Sequence, residues 1–152
     1  MNRQEKWDLR FLKLAKEVSS WSKDPSTKVG AVLTRNVNSI VSMGYNGFEE
    51  FDPDLEEDYL NREVKLSKII HAEINALNHS STGVSHCTLY TYPFPPCYEC
   101  SRIIAKRGIS RVVSLKPSLE ILSRWEESLF SAECVLEDYD VEIKVYDPSD
   151  LI

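Results

Sequence analysis

The sequence predicts an α/β protein built as three layers, helix on sheet on helix, around a mixed central sheet of about five strands. Three observations carry this expectation. An amphipathic helix opens the chain, two short strands linked by a turn follow it, and the rest alternates helix with strand. The chain has 152 residues, 42% of them hydrophobic and 28% charged, the balance of a globular protein able to bury one core. No repeat, low-complexity tract or linker interrupts it, so one domain is expected over residues 1–152.

Residues 3–22 read as the first helix, because Trp7, Phe11, Leu14, Val18 and Trp21 recur at steps of three and four. Both tryptophans are expected to pack that helix down. Ser22-Lys23-Asp24-Pro25-Ser26 ends it, since proline disfavours helix in the residue before it. Residues 29–34 and 39–45 read as strands joined at Asn36-Val37-Asn38, and Asn46-Gly47 closes the unit with a tight turn.

Residues 48–62 carry Glu49, Glu50, Asp52, Asp54, Glu56, Glu57 and Asp58. They read as a solvated loop with a short helix from Asp58, or as a lid or subunit contact. Helix is expected over 70–79, strand over 86–92, and an extended loop through Pro93-Phe94-Pro95-Pro96. Helix then runs over 98–106 and stops at Gly108. A strand over 110–115, a helix over 120–134 and a strand over 141–146 complete the chain. Cys87 and Cys134 are expected in the core, and His79 and His86 at the surface or in loops. Arg102, Lys106 and Arg107 are expected on the polar face of their helix.

The bulk numbers exclude several classes. A net charge of −6 is wrong for gripping a nucleic-acid polymer, where phosphate contacts supply most of the affinity. The N-terminus Met1-Asn2-Arg3-Gln4-Glu5-Lys6 is charged with no apolar run behind it, and no stretch is long enough to span a bilayer. A cytoplasmic protein with no membrane partner is the expectation. Four cysteines are too few for a disulfide scaffold, and in a reducing compartment they read as ligands or buried thiols.

Chemistry concentrates at two helix starts. His71-Ala72-Glu73 opens one and Pro96-Cys97-Tyr98-Glu99-Cys100 opens the other. Cysteines three apart on a helix face one side. Two thiolates and an imidazole suit Zn2+, and three ligands leave a fourth position where water can lose a proton near neutral pH. Glu73 is placed to take that proton. A structural zinc knuckle would want a fourth Cys or His at conventional spacing, and a redox pair would need neither His71 nor Glu73. The combined His-x-Glu and Pro-Cys-x-x-Cys pattern is the signature of zinc deaminases.

With these residues in view, the chain resembles the deoxycytidylate (dCMP) deaminases of the cytidine deaminase-like superfamily. The resemblance extends to Ser22-Lys23-Asp24-Pro25-Ser26-Thr27-Lys28-Val29-Gly30-Ala31, to Gly44-Tyr45-Asn46-Gly47, to Ile70 through Ala76, to Thr88-Leu89-Tyr90 and to Gly108 through Val113. It implies that His71, Cys97 and Cys100 bind zinc and that Glu73 shuttles protons. It implies that the Ala72 backbone N–H meets the pyrimidine carbonyl and that Asn46 contacts the sugar. Lys28, beside that junction, is a candidate for the phosphate or a solvated lysine. The loop Gly44, Tyr45, Asn46 and Gly47 is associated in the family with an allosteric nucleotide site, dCTP activating and dTTP inhibiting, where Mg2+ would accompany the nucleotide, and many members are homohexamers.

The chain departs from the family where Gly47-Phe48-Glu49-Glu50-Phe51 replaces a Gly-Phe-Pro-x-Gly continuation, which weakens the case for the effector site. Its Tyr92-Pro93-Phe94-Pro95-Pro96 run is unusually proline-rich. No further Cys/His set stands ready for a second, structural zinc.

The expected reaction is dCMP + H2O → dUMP + NH3. Two alternatives stay open at this stage. The same chemistry could act on dCTP, deoxycytidine, a modified dCMP or another base. The protein could instead be a non-catalytic subunit that binds zinc and nucleotide.

Overall fold

The computed structural model describes all residues from Met1 to Ile152. In chain order the elements are α1 (Arg3–Ser19), β1 (Gly30–Arg35), β2 (Ser39–Tyr45), α2 (Glu56–Leu60), α3 (Arg62–Lys68), α4 (Ala72–His79), β3 (Thr88–Tyr92), α5 (Tyr98–Lys106), β4 (Arg111–Leu115), α6 (Leu119–Asp138) and β5 (Glu142–Tyr146), with a last 3-10 turn at Pro148–Leu151. The strands form one sheet in the order β2-β1-β3-β4-β5. β1 runs antiparallel to both β2 and β3, while β3, β4 and β5 are parallel, so the sheet is mixed as expected. The parallel half needs crossovers, and α5 and α6 supply them.

Alternation along the strands builds a core on each face of the sheet. Ala31, Leu33, Leu89 and Val112 point into the larger one, under α4, α5 and α6. Val32, Tyr90, Val113 and Leu115 point into the smaller one, against Leu9, Phe11, Leu12 and Ala15 of α1. The result is the three-layer arrangement, with α1 alone on one side.

A buried polar cluster pins α1 to the sheet. Asp8, fully buried, accepts from Arg111 at 2.7 and 2.6 Å, from the Tyr90 hydroxyl at 2.7 Å and from the Tyr146 hydroxyl at 2.6 Å. These donors come from β3, β4 and β5, so one carboxylate ties the helix to three strands. Burial alone would raise the Asp8 pKa, but the bonds from Arg111, Tyr146, Tyr90 and Gln4 outweigh it and hold the carboxyl below its usual value.

Several sequence expectations are corrected. α1 ends at Ser19, and Trp21 lies beyond it, 48% exposed and edge-on to Tyr45 at 6.2 Å between ring centroids. The Ser20 hydroxyl bonds back to the Glu17 carbonyl at 2.6 Å, a local bond that competes with helix continuation. Residues 56–68 are two short helices, with Asn61 capping α3 by accepting from the Val64 amide at 3.2 Å. α6 runs one turn past Cys134, which is exposed and outside the core. The buried residues of that helix are Ala132 and Leu136, and Cys134 sits half a turn from them. α6 stands over an apolar cleft of about 290 Å³ lined by Pro96, Val112, Leu122, Phe130 and Ile143.

Candidate active site

His71 and Cys97 occupy the N-cap positions of α4 and α5, both in extended backbone conformation and neither giving a side-chain cap. Ser, Thr, Asn or Asp at such positions would contribute about 1 kcal/mol to helix stability. The residue types here serve another purpose. Cys100 lies one turn into α5 and is buried.

β2 holds α4 in place. Gly44 lies so close to the helix that a Cβ would meet Ala76 N at 2.4 Å and Ala72 O at 2.6 Å. Ser42 Oγ donates to Ala76 O at 2.6 Å, and Asn75 Nδ2 donates to Tyr45 O at 2.9 Å. Gly47 and Ile70 exchange backbone hydrogen bonds at 3.1 and 2.8 Å just before His71.

The three donor atoms converge. His71 Nδ1 lies 3.2 Å from Cys100 Sγ and 3.6 Å from Cys97 Sγ, and all three lie within 4.8 Å of one another. A tetrahedral zinc with ordinary bond lengths separates a nitrogen and a sulfur ligand by about 3.5 Å. Donor chemistry and spacing therefore both fit zinc. The three groups also share protons. A hydrogen bond from Cys100 holds Cys97 down at about 4, the neighbouring Cys97 sulfur lifts His71 to about 9, and its bond to Cys97 pushes the Cys100 thiol up.

Beside them opens a cavity of about 310 Å³, the small end of the range for small-molecule pockets. Its floor is His71, Ala72, Glu73 and Cys97, with Phe94 and Pro95 beside them. One wall comes from Asp24, Ser26, Thr27, Val29 and Asn46, another from Arg62, Lys65 and Leu66 of α3, and a third from Ile121, Arg124, Trp125, Ser128 and Leu129 of α6. Glu73 is 5% exposed, and burial raises its pKa from the ordinary carboxylate value. The Ala72 N–H sits in the first turn of α4, where a helix offers no backbone acceptor.

Asn46 lines the cavity with its amide already engaged. Its Oδ1 accepts from Val29 N at 2.9 Å, and its Nδ2 donates to Thr27 O at 2.8 Å. Lys28, the sequence candidate for phosphate, does not line the cavity; its ammonium donates to the Ser22 carbonyl. Gly44 is occupied by the α4 contact, and Tyr45 is exposed against Trp21.

Sequence reasoning missed Asp24 and Lys65. They form a buried ion pair at 3.2 Å, and Asp24 also accepts from the Ser26 amide at 2.8 Å. Asp24-Pro25-Ser26 could have signalled that turn. Nothing local signals Lys65, whose partner lies 41 residues away. Arg62, Arg124 and Trp125 were missed as well, since each reads as surface until α3 and α6 are placed.

Residues 5–116 match the family model described as the cytidine and deoxycytidylate deaminase zinc-binding region. This chain belongs to the cytidine and deoxycytidylate deaminase family. It is 39% identical over 138 residues to the "uncharacterized deaminase in luxG 3'region" of Aliivibrio fischeri, covering 91% of this chain and 92% of that protein. It is 34% identical over 113 residues to human deoxycytidylate deaminase, covering 70% of this chain and spanning 63% of the human protein. Among solved structures, the dCMP deaminase of cyanophage S-TIM5 in complex with dCMP and dUMP superposes with a TM-score of 0.69 at 26% identity, covering 90% of this chain and 94% of that one. The matched region is described as zinc-binding, and the His71, Cys97 and Cys100 donors within it are spaced as a zinc ion requires.

Proposed function

We propose that this chain, acting as one deaminase domain, hydrolyses dCMP to dUMP and ammonia. The observation that carries the reading is Glu73, buried beside the His71, Cys97 and Cys100 cluster at the floor of a cavity sized for one nucleotide. The phage relative with dCMP and dUMP bound supports the choice of base and sugar.

His71, Cys97 and Cys100 would hold the ion, and zinc when bound would supply the Lewis acidity that lets water lose a proton near neutral pH. The chain's own residues do the rest. Glu73 takes one proton from the attacking water and gives it to ring N3, then takes the second from the hydroxyl now on C4 and gives it to the departing amine. Burial raises its pKa and so favours the protonated carboxyl more than exposure to water would, the direction suited to a group that must both accept and donate. The Ala72 N–H donates to the pyrimidine carbonyl and fixes the ring over Glu73. The wall formed by Asn46 and the residues it ties down faces the sugar, while Phe94 and Trp125 contribute aromatic surface for the base.

Glu73→Gln keeps the size of the side chain and removes the proton carrier. It should retain zinc and lower kcat on dCMP by about 10²–10⁴-fold. Undiminished turnover would overturn the mechanism and favour a binding-only protein.

The same reading carries three further statements. A homo-oligomer, hexameric in the family resemblance, is supported by exposed Phe51, Leu60, Leu66 and Phe130, which offer apolar surface to a second copy. A response to dCTP with Mg2+ and to dTTP rests on the Gly44–Gly47 resemblance alone. A cytoplasmic location accords with the absence of any helix long and apolar enough to cross a membrane. Sedimentation with and without each nucleotide tests the first two together.

A further inference from the structure

Resting on the deaminase reading above, we infer that Arg62 of α3 and Arg124 of α6 form a two-guanidinium clamp that selects a nucleoside 5′-phosphate over the free nucleoside. Both side chains line the cavity, from two walls that supply no reacting group.

The charges in the cavity wall single them out. Lys65 is committed to Asp24 at 3.2 Å and to Ser26 Oγ at 3.2 Å, with both charged side chains over 90% buried. That pair is neutral and fixed. Glu73 belongs to the reacting end. Arg62 takes part in no ion pair. Arg124 has only Glu120, its neighbour one turn back on the same helix, at 2.6 Å with both side chains exposed; such surface pairs are weak. A chain of net charge −6 thus leaves two cations without a committed partner along one small cavity.

The chemistry of the guanidinium fits this task. A phosphate monoester carries nearly two negative charges at pH 7. Guanidinium groups bind such oxygens bidentately and cannot lose their charge in this range. Two of them, one from the α3 wall and one from the α6 wall of the same cavity, match one monophosphate. Glu120 competes for Arg124, so the phosphate must displace it.

The test compares kcat/KM on dCMP and on deoxycytidine for the zinc-loaded enzyme at low and high salt. Arg62→Gln and Arg124→Gln should each lower the dCMP-to-deoxycytidine preference about ten-fold or more, and the pair of changes should lower it further. Glu120→Gln frees Arg124 and should raise the preference. Lys106→Gln, on the exposed face of α5 away from the cavity, should leave it unchanged. Added salt should raise KM for dCMP in the parent enzyme far more than in the double variant. Equal losses on both substrates, or an unchanged preference, would overturn the clamp.

If the parent protein turns over neither substrate, the deaminase reading fails and the clamp is read by binding. Trp125 fluorescence and calorimetry would then compare dUMP with deoxyuridine. A dUMP preference that vanishes in the double variant supports the clamp, and no preference in the parent refutes it.

Discussion

Gly44→Ala and Gly30→Ala apply the same perturbation to opposite faces of the sheet. At Gly44 the added carbon would lie 2.4 Å from Ala76 N and 2.6 Å from Ala72 O, both α4 backbone; at Gly30 it would lie 2.0 Å from Ala15 O and 2.6 Å from Ser19 N, at the end of α1. Non-bonded carbon contacts settle near 3.5 Å, so each helix must retreat by roughly 1 Å or more. Overpacking of this kind costs about 1–3 kcal/mol, which for a chain of this length lowers Tm by about 2–12 °C. Both variants should show that loss in a thermal melt. Only Gly44→Ala displaces the helix that carries His71, Ala72 and Glu73. A misplacement of that size lowers turnover by about 10²-fold. The assay is kcat on dCMP for zinc-loaded protein well below either melting temperature, with zinc content measured alongside. If the two variants keep the same fraction of kcat, the grip of β2 on α4 is not what positions the site.

Two further outcomes follow from the buried polar groups. Asp8→Ala removes the buried partner of Arg111, leaving it only the exposed Glu142 at 2.9 Å, and should cost about 3–5 kcal/mol in urea unfolding; a loss under 1 kcal/mol would mean the cluster does not pin α1. The Asp8 carboxyl is held below its usual pKa, so its contribution is present above the unfolded value near about 4 and is lost as pH falls through the lower folded value. The stability gap between the parent and Asp8→Asn should therefore narrow only in that acid window. At the donor cluster, an incoming zinc must displace protons from His71, lifted to about 9, and from the Cys100 thiol, pushed up. Zinc affinity in a chelator competition should rise steadily from pH 6 toward 9, and a flat profile would contradict the proton sharing described.

The donor cluster was legible in the sequence because its parts are local. His71 and Glu73 are two residues apart, Cys97 and Cys100 one turn apart, and each set begins a helix, where chain geometry alone points side chains the same way. The layers were legible for the same reason, since strand alternation and helical stripes are local patterns. The acidic run showed only a short helix from Asp58 and hid the division into α2 and α3, because the helical signal is weak and most charges there, Lys65 apart, are outside the core. The Asp24–Lys65 pair was beyond reach, because only the folded chain brings those two residues together. Trp21 misled because its spacing continued the α1 stripe, while the serines before it had already turned the backbone away. Gly44 was read as part of a nucleotide loop, whereas its contact with α4 already accounts for a glycine there.

The cavity walls divide by origin in a way that bears on how such a protein can change over generations. The groups assigned to the reaction sit on α4 and α5, which are locked to the sheet by Gly44, Ser42, Asn75 and the larger core. Beyond the Asn46 wall that faces the sugar, the walls that would recognise the rest of the substrate sit on α3 and the first half of α6, which bury few side chains of their own. Mutations in these outer segments can redraw the cavity at small cost to folding and without disturbing the proton carrier. Substrate preference can therefore drift while the reaction is inherited intact.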